Sequence, residues 1–501
     1  MASNPPRPGR TNQPDFFGDE PDRQDSPEDA VEEAFDDVDE DVEDVDDVEE
    51  ADEADEADEA EEVDEARIVR QFQRHERAEV VDAEIEEADE TAPDEEPAPR
   101  QDEPPPQDEP GDDRPAATPP ADIGPAPEQT EEQRADAKRY EAIHNRLFLL
   151  DILATVLALV LFLFLGFSQN LKLFVEQRIS ENPFALVAFY GIIVTIVYYF
   201  LILIPLHFWD RIYELRFGLS RQSSFDWISD EFKSMGLNMV LLVVFLELVY
   251  ALLRATPAHW WLWAAAAWTV LVVVLTKLAP VLLIPIFYKR EPLDNDELAE
   301  RLRHLAERVQ MSVIAVEKLG LGAKTVKANA MLAGLGNTKR VLLGDTLLEN
   351  FTDDEIEAVL AHELGHHYHH HIWKLIGAGA VATFAGFFVA SVVLHALVVK
   401  LGFEGVADVA SFPVLAGALL VMAIVAMPAT NAFSRALERQ ADRFAVRLTR
   451  KPDAFIAAMR RLAVRNLADT EPSRVVEALL HGHPSISRRI AAAEAIRDED
   501  G

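Results

Sequence analysis

The sequence predicts a mostly α-helical, polytopic membrane protein with a small cytosolic domain containing a β-hairpin, preceded by a disordered acidic arm. Three observations carry this prediction: six apolar runs of membrane-spanning length, a charge imbalance confined to the start of the chain, and a charged, turn-rich stretch between the fourth and fifth runs. The 501 residues are 49% hydrophobic and 27% charged, with 46 Lys plus Arg against 88 Asp plus Glu. Residues 1–130 hold 49 acidic and 9 basic side chains, a net −40, whereas the rest holds 39 and 37. This split excludes an acidic coat over the whole surface, and it argues against nucleic-acid binding through a strongly basic domain. The absence of cysteine rules out disulfides, thiolate metal sites and a cysteine nucleophile, so any metal must be held by histidine and carboxylate.

The arm, assigned to residues 1–140, is nearly all Asp, Glu, Ala and Val from Asp19 to Glu65, and like charges on neighbouring helical positions oppose folding. Residues 91–127 add 12 of the 29 prolines, which favours an extended linker. Within the arm, Arg67 to Val81 is an apolar-basic island with the composition of a short amphipathic helix. Its bland reading is a solvated charge run; its sharper one is an interaction tail for a basic partner or for the protein's own basic surface.

The apolar runs are Leu147 to Phe167, Phe184 to Pro205, Leu237 to Leu253, Trp261 to Phe287, Ile372 to Val399 and Phe412 to Phe433. Most are long enough for a helix to cross a bilayer, and several lack a polar stripe. Residues 141–287 are thus expected to form membrane helices one to four with a cytosolic loop. Residues 288–371 form a separate extramembranous segment, 372–433 form helices five and six, and 434–501 form C-terminal cytosolic helices. No cleavable signal peptide is expected ahead of the first span. Six spans put residues 131–146, 207–236, 288–371 and the tail from Ser434 on one side. These hold 31 Lys or Arg, whereas Lys172, Arg178, Arg254 and Lys400 lie on or beside the opposite loops, so the first side and the arm are expected to be cytoplasmic. Glu247 and Lys277 are charges at membrane depth, read either as a pair between helices or as a polar chamber lining.

Thr352, Asp353, Asp354 and Glu355 have capping-box spacing and open a helix that contains His362-Glu363-Leu364-Gly365-His366. Two imidazoles at i and i+4 share a helix face and can bind one metal ion, with Glu363 beside its open position as general base. A catalytic zinc needs a third protein ligand. The helix from Asn431 to Leu448 offers Glu438 as that ligand, and Asp442, one turn on, as the carboxylate that orients a metal-bound imidazole, that of His362. The bland alternative makes Glu438, Arg439, Asp442 and Arg443 a solvated face of ion pairs. His367, His369, His370 and His371 read as a polar helix end meeting lipid headgroups, or as a second metal site; the five-residue gap from His366 to His371 is angularly wrong for the same ion.

Upstream, Val326 to Leu335 and Arg340 to Leu343 read as a hairpin turning through Gly336 to Lys339. It is either plain structure or an edge strand able to take up an extended peptide by β-augmentation.

Several motifs in order resemble a known family. Phe217-Gly218-Leu219-Ser220, Asn329-Ala330, Lys339 to Leu347, the His-Glu-Leu-Gly-His helix, Ser434 to Asp442 and His483-Pro484 resemble the CAAX prenyl endopeptidases, integral-membrane zinc metalloproteases of the gluzincin type, and more distantly the bacterial heat-shock membrane proteases. The resemblance implies one zinc held by His362, His366 and Glu438, base catalysis by Glu363, substrate backbone bound at Asn329 and Ala330, and His483 near the substrate or its oxyanion. It also implies a helical membrane barrel around a large chamber, with the zinc-peptidase domain at its cytosolic end. Two departures are the count of six spans where eukaryotic members have seven, and the acidic arm. The lack of an endoplasmic-reticulum retrieval signal favours a prokaryotic plasma membrane. The resulting expectation is a zinc-dependent endopeptidase acting on membrane-associated or prenylated-type C-terminal substrates, or on membrane proteins generally in quality control. The rivals are an intramembrane protease, against which the acidic residues before the motif argue, a transporter, and a non-catalytic scaffold; no internal repeat supports the transporter.

Overall fold

A computed structural model describes residues 123–311, 315–335 and 338–500. The arm before residue 123, including the Arg67 to Val81 island, lies outside the described residues, as do Gly336 and Asn337 of the hairpin turn. The first half of the chain forms α1 (Glu131–Phe164), α2 (Phe167–Arg178), α3 (Pro183–Tyr198), α4 (Ile204–Arg216), α5 (Ser224–Ala255), α6 (Trp260–Leu278) and α7 (Ile284–Phe287). Then come β1 (Arg290–Pro292), α8 (Asp296–Arg308), β2 (Ala315–Leu319), β3 (Ala330–Ala333), β4 (Arg340–Gly344), α9 (Asp345–Leu348) and α10 (Asp353–Tyr368). The last part is α11 (His371–Leu397), α12 (Phe412–Thr449), α13 (Pro452–Asn466), α14 (Arg474–Leu480) and α15 (Ile486–Asp500).

Among the described residues six helical runs are long and apolar enough to cross a membrane: α1, α3 with α4, α5, α6 with α7, α11 and α12. They match the six runs read from sequence. The two compound runs each contain a widened π-type turn, at Tyr199–Leu203 and Ala279–Leu283, just ahead of Pro205 and Pro285. A proline has no N–H to give the preceding turn, so the helix loosens there instead of breaking. Leu153, Leu201, Val244, Val270, Val381 and Val425 are exposed, as a lipid-facing surface requires. An apolar cavity of about 1140 Å³ lies among α1, α3, α5, α6 and α12.

The chain folds earlier than expected. Thr130 and Gln133 form a capping box that starts α1 inside the stretch 1–140 assigned to the arm, and Ala137 and Tyr140 are buried. The preceding segment is also fixed, since the Gln129 amide donates to the carbonyls of Ala463 and Ala468, both at 3.0 Å, and Arg461 donates to the Gly124 carbonyl. Residues 123–140 therefore belong to the fold, because this segment has polar partners on α13 that composition does not reveal.

The sheet has the order β1-β2-β4-β3, with β2 parallel to β4 and both outer pairs antiparallel. β3 and β4 are the expected hairpin, with Ala330 opposite Leu343 and Ala333 opposite Arg340, and β3 is an edge strand. Leu302 and Leu305 of α8, Val341 and Leu343 of β4, Ile356, Leu360 and Leu364 of α10, and Phe455 of α13 form one core beneath it. Each such side chain contributes roughly 1.5–3 kcal/mol through burial, which holds α10 rigidly against the sheet.

The four stretches expected to share one side do meet at this sheet end. Lys327 Nζ lies 2.6 Å from Tyr140 Oη and 2.8 Å from Glu214. The Arg221 N–H donates to the Lys324 carbonyl at 2.8 Å, and His481 pairs with Glu141 at 3.1 Å. At the far end Lys172 pairs with Asp408 at 3.2 Å and Glu404 at 2.9 Å. Glu247 and Lys277 form no ion pair with each other.

Candidate metal centre

α10 starts where the sequence says it must. The Thr352 hydroxyl accepts from the Glu355 N–H at 3.3 Å, and Glu355 Oε2 accepts from the Thr352 N–H at 2.8 Å. Asp353, Asp354 and Glu355 in the first turn suit the positive end of the helix dipole. Glu355 also accepts from Arg461 at 2.9 Å, so the cap is tied to α13.

Gly365 then decides how close α12 can come. A Cβ at this position would stand 3.1 Å from Ala441 Cα and 3.1 Å from Phe444 Cδ1, so the two helices pack backbone to backbone. That approach brings Glu438 and Asp442 to the two histidines. His362 Nε2 lies 3.3 Å from Glu438 Oε2, His366 Nε2 lies 3.3 Å from Glu438 Oε1, and the two Nε2 atoms are 3.1 Å apart. His362, His366 and Glu438 are the one group among the described residues with metal-ligand proximity. Asp442 receives His362 Nδ1 at 2.8 Å. Burial alone would lower the His362 pKa, but the Asp442 and Glu438 carboxylates outweigh it and push it up to about 9.

The residues fit a metal ion on three grounds. With His362 Nδ1 on Asp442, its Nε2, the Nε2 of His366 and both Glu438 oxygens converge on one point that attracts positive charge; the raised pKa of His362 reflects that demand, and a metal ion would meet it in place of the proton. Glu438 Oε2, moreover, is buried and has no hydrogen-bond partner among the described residues. His483 Nδ1 stands 2.9 Å from it, but without hydrogen-bonding geometry. Separations of 3.1–3.3 Å are also those of a tetrahedron with metal–ligand bonds of roughly 2.0–2.1 Å.

Glu363, between the two histidines, accepts from the Leu332 N–H of the edge strand at 3.4 Å. Asn329 is exposed and Ala330 half-buried at the start of that strand, with the Asn329 carbonyl accepting from Gly344 at 2.9 Å. His483 is 68% exposed, so its side chain is open to a bound substrate. Its loop is held by α12, since Arg435 donates to the carbonyls of Glu477 at 2.8 Å and His481 at 2.7 Å.

Two features differ from sequence expectation. Arg489 grips Asp442 with Nε at 2.8 Å and Nη2 at 2.6 Å, a two-pronged clamp from α15. Only its place after His483-Pro484 hinted at this. The histidine run, in turn, is not a headgroup-facing helix end. His371 is fully buried, His367 Nε2 contacts the Leu332 carbonyl at 3.2 Å, and His369 packs against Tyr368 and Phe444. Burial pushes His367 and His369 down to about 4, and only His370 is exposed.

The comparisons with known proteins agree with this layout. The model for peptidase family M48 matches residues 292–497, and that for the CAAX prenyl protease N-terminal region, five membrane helices, matches 115–289. Over the described part of that second range four helical runs are long enough to span, and α2, with 12 residues, is not. The uncharacterized metalloprotease YhfN of Bacillus subtilis is 27% identical over 76% of this chain and 90% of its own. CAAX prenyl protease 1 of Saccharomyces cerevisiae is 26% identical over 59% of this chain and 69% of its own. The crystal structure of Ste24p from S. mikatae superposes with a TM-score of 0.63 at 22% identity, covering 73% of this chain and 89% of that one. Since both parts of the described chain are matched, in the order in which the structure joins them, the chain belongs to peptidase family M48 as a membrane-embedded metallopeptidase related to the CAAX prenyl proteases.

Proposed function

We propose that the protein is a zinc-dependent endopeptidase that works at the cytoplasmic face of a prokaryotic plasma membrane and cleaves membrane-associated or prenylated-type C-terminal substrates. The observation that carries this reading is the buried cluster of His362, His366 and Glu438, with an unpartnered carboxylate oxygen and two facing imidazole nitrogens. An N,N,O donor set suits zinc, which when bound polarises a carbonyl and acidifies water. Glu363 accepts the proton of the attacking water and delivers it to the leaving amine. Asn329 and Ala330, on the edge strand whose Leu332 touches Glu363, bind the substrate backbone in extended form. His483 stabilises the oxyanion from its exposed position. The cytoplasmic assignment is supported by the 31 Lys or Arg on the stretches that meet at the sheet end. The arm, at net −40, is read as a ligand for a basic partner or for this basic end; deletion of residues 1–122 should then change the salt dependence of KM.

The test is cleavage of matched prenylated and unmodified CAAX peptides by detergent-purified protein, with Glu363→Gln as the blank. The blank should retain zinc and lose turnover, and an active Glu363→Gln enzyme would sink the mechanism. Preference for the prenylated peptide supports the substrate class; equal cleavage keeps the zinc protease and moves its role toward membrane-protein quality control.

A further inference from the structure

The two ligand imidazoles are held from behind by different partners. His362 Nδ1 meets the carboxylate of Asp442, itself clamped by Arg489. His366 Nδ1 instead lies 3.0 Å from His371 Nδ1, and His371 Nε2 lies 2.7 Å from Gln440 Oε1. Lys374 Nζ approaches the same Gln440 atom at 3.5 Å, and an ammonium group can only donate, so this atom is an acceptor oxygen. His366 can hold a metal ion through Nε2 only if its own proton sits on Nδ1, so the 3.0 Å contact runs from His366 Nδ1–H to His371 Nδ1, and the ring proton of His371 must lie on its other nitrogen. Gln440 Oε1 stands where it accepts that proton from Nε2.

We propose that His371, oriented by Gln440, is a positioning residue that fixes the tautomer and ring plane of the metal ligand His366. This rests on the zinc reading above. The geometry follows from a turn: His370 adopts a left-handed conformation, φ 60°, between α10 and α11, which folds His371 back beneath His366. The neutral chain from Gln440 through His371 does for one ligand what the charged pair of Asp442 and Arg489 does for the other.

The experiment measures zinc affinity of the detergent-purified full chain by chelator competition, with the visible spectrum of the cobalt-loaded protein as a second readout. His371→Phe keeps a planar ring but removes the acceptor, whereas His371→Asn places an amide oxygen near the former Nδ1. The first should weaken zinc binding about 10–100-fold and alter the cobalt spectrum, and the second should restore most of the affinity. Gln440→Leu should also weaken binding but add little in the His371→Phe background. Affinity of His371→Phe close to that of the unsubstituted chain overturns the proposal. So does a His371→Asn chain that binds no better than His371→Phe, since the ring would then only fill space. Should His371→Phe fail to fold, an unchanged affinity in Gln440→Leu overturns it equally. An unsubstituted chain that binds no zinc refutes the functional reading itself, a different failure.

Discussion

The two ends of the helix bundle are fastened by different means. At the far end, Lys172 reaches Asp408 and Glu404, Ser168 donates to the Ala410 carbonyl at 2.6 Å and lies 2.6 Å from Tyr190 Oη, and Tyr250 donates to the Val409 carbonyl at 3.4 Å, all beside an apolar cluster that includes Trp260. At the peptidase end, charged and polar side chains from α1, α4, α10, α12, α13 and α15 interlock, and several act on the atoms of the centre itself. Charge at the far end holds helices together; charge at the peptidase end also sets where ligand atoms point. Substitutions at the two ends should therefore separate stability from metal binding.

The largest effect is expected from Glu438→Ala. It removes the oxygen donor from the cluster and should abolish both zinc binding and turnover, measured by metal analysis and peptide cleavage. Next comes Gly365→Ala, whose added methyl meets α12 backbone at 3.1 Å. It should cost about 1–3 kcal/mol in stability and lower zinc affinity as the helices part. Arg489→Leu leaves Asp442 without its clamp and should weaken zinc about 10–100-fold with a smaller loss of thermal stability. Lys172→Met is the control from the other end. It leaves the buried Asp408 without its cation and should destabilise by about 2–3 kcal/mol, less than a sealed pair because Glu404 is open to water, with zinc affinity unchanged. Altered affinity in Lys172→Met would break the distinction between the ends.

The smallest effect concerns pH. His481 has a raised pKa, chiefly because it hydrogen-bonds Glu141, with burial opposing. Its folded pKa exceeds its unfolded one, so the stabilisation is fully present below the ordinary histidine value and is lost as pH rises through the raised one. The contribution should be under about 1 kcal/mol. Melting curves of His481→Asn and the unsubstituted chain should converge on the alkaline side, and a gap that persists there would refute the assignment.

The sequence made much of this molecule legible because its strongest signals are local. Apolar length marks the six spans, and the capping box and the i, i+4 histidines mark α10. The Glu438 and Asp442 spacing shows on a single helix. What stayed hidden depends on chain reversals and long-range contacts. The angular argument about His371 assumes one continuous helix, whereas His370 breaks it and turns His371 inward. Arg489 lies 47 residues from Asp442 along the chain, with no period to connect them. The segment 123–140 reads as arm because its charge and proline content outweigh Gln129, whose partners lie more than 330 residues away.

α12 carries one further consequence. Its 38 residues run unbroken through Pro428, so a membrane span and Glu438 share one rod. No linker separates lipid-embedded chain from peptidase chemistry, and the centre cannot be excised as a soluble module, nor can it be transplanted onto another membrane anchor by swapping whole domains. A lineage altering its substrates must do so by remodelling the surrounding helices in place, and any change in the tilt of the last span is felt directly at a ligand oxygen.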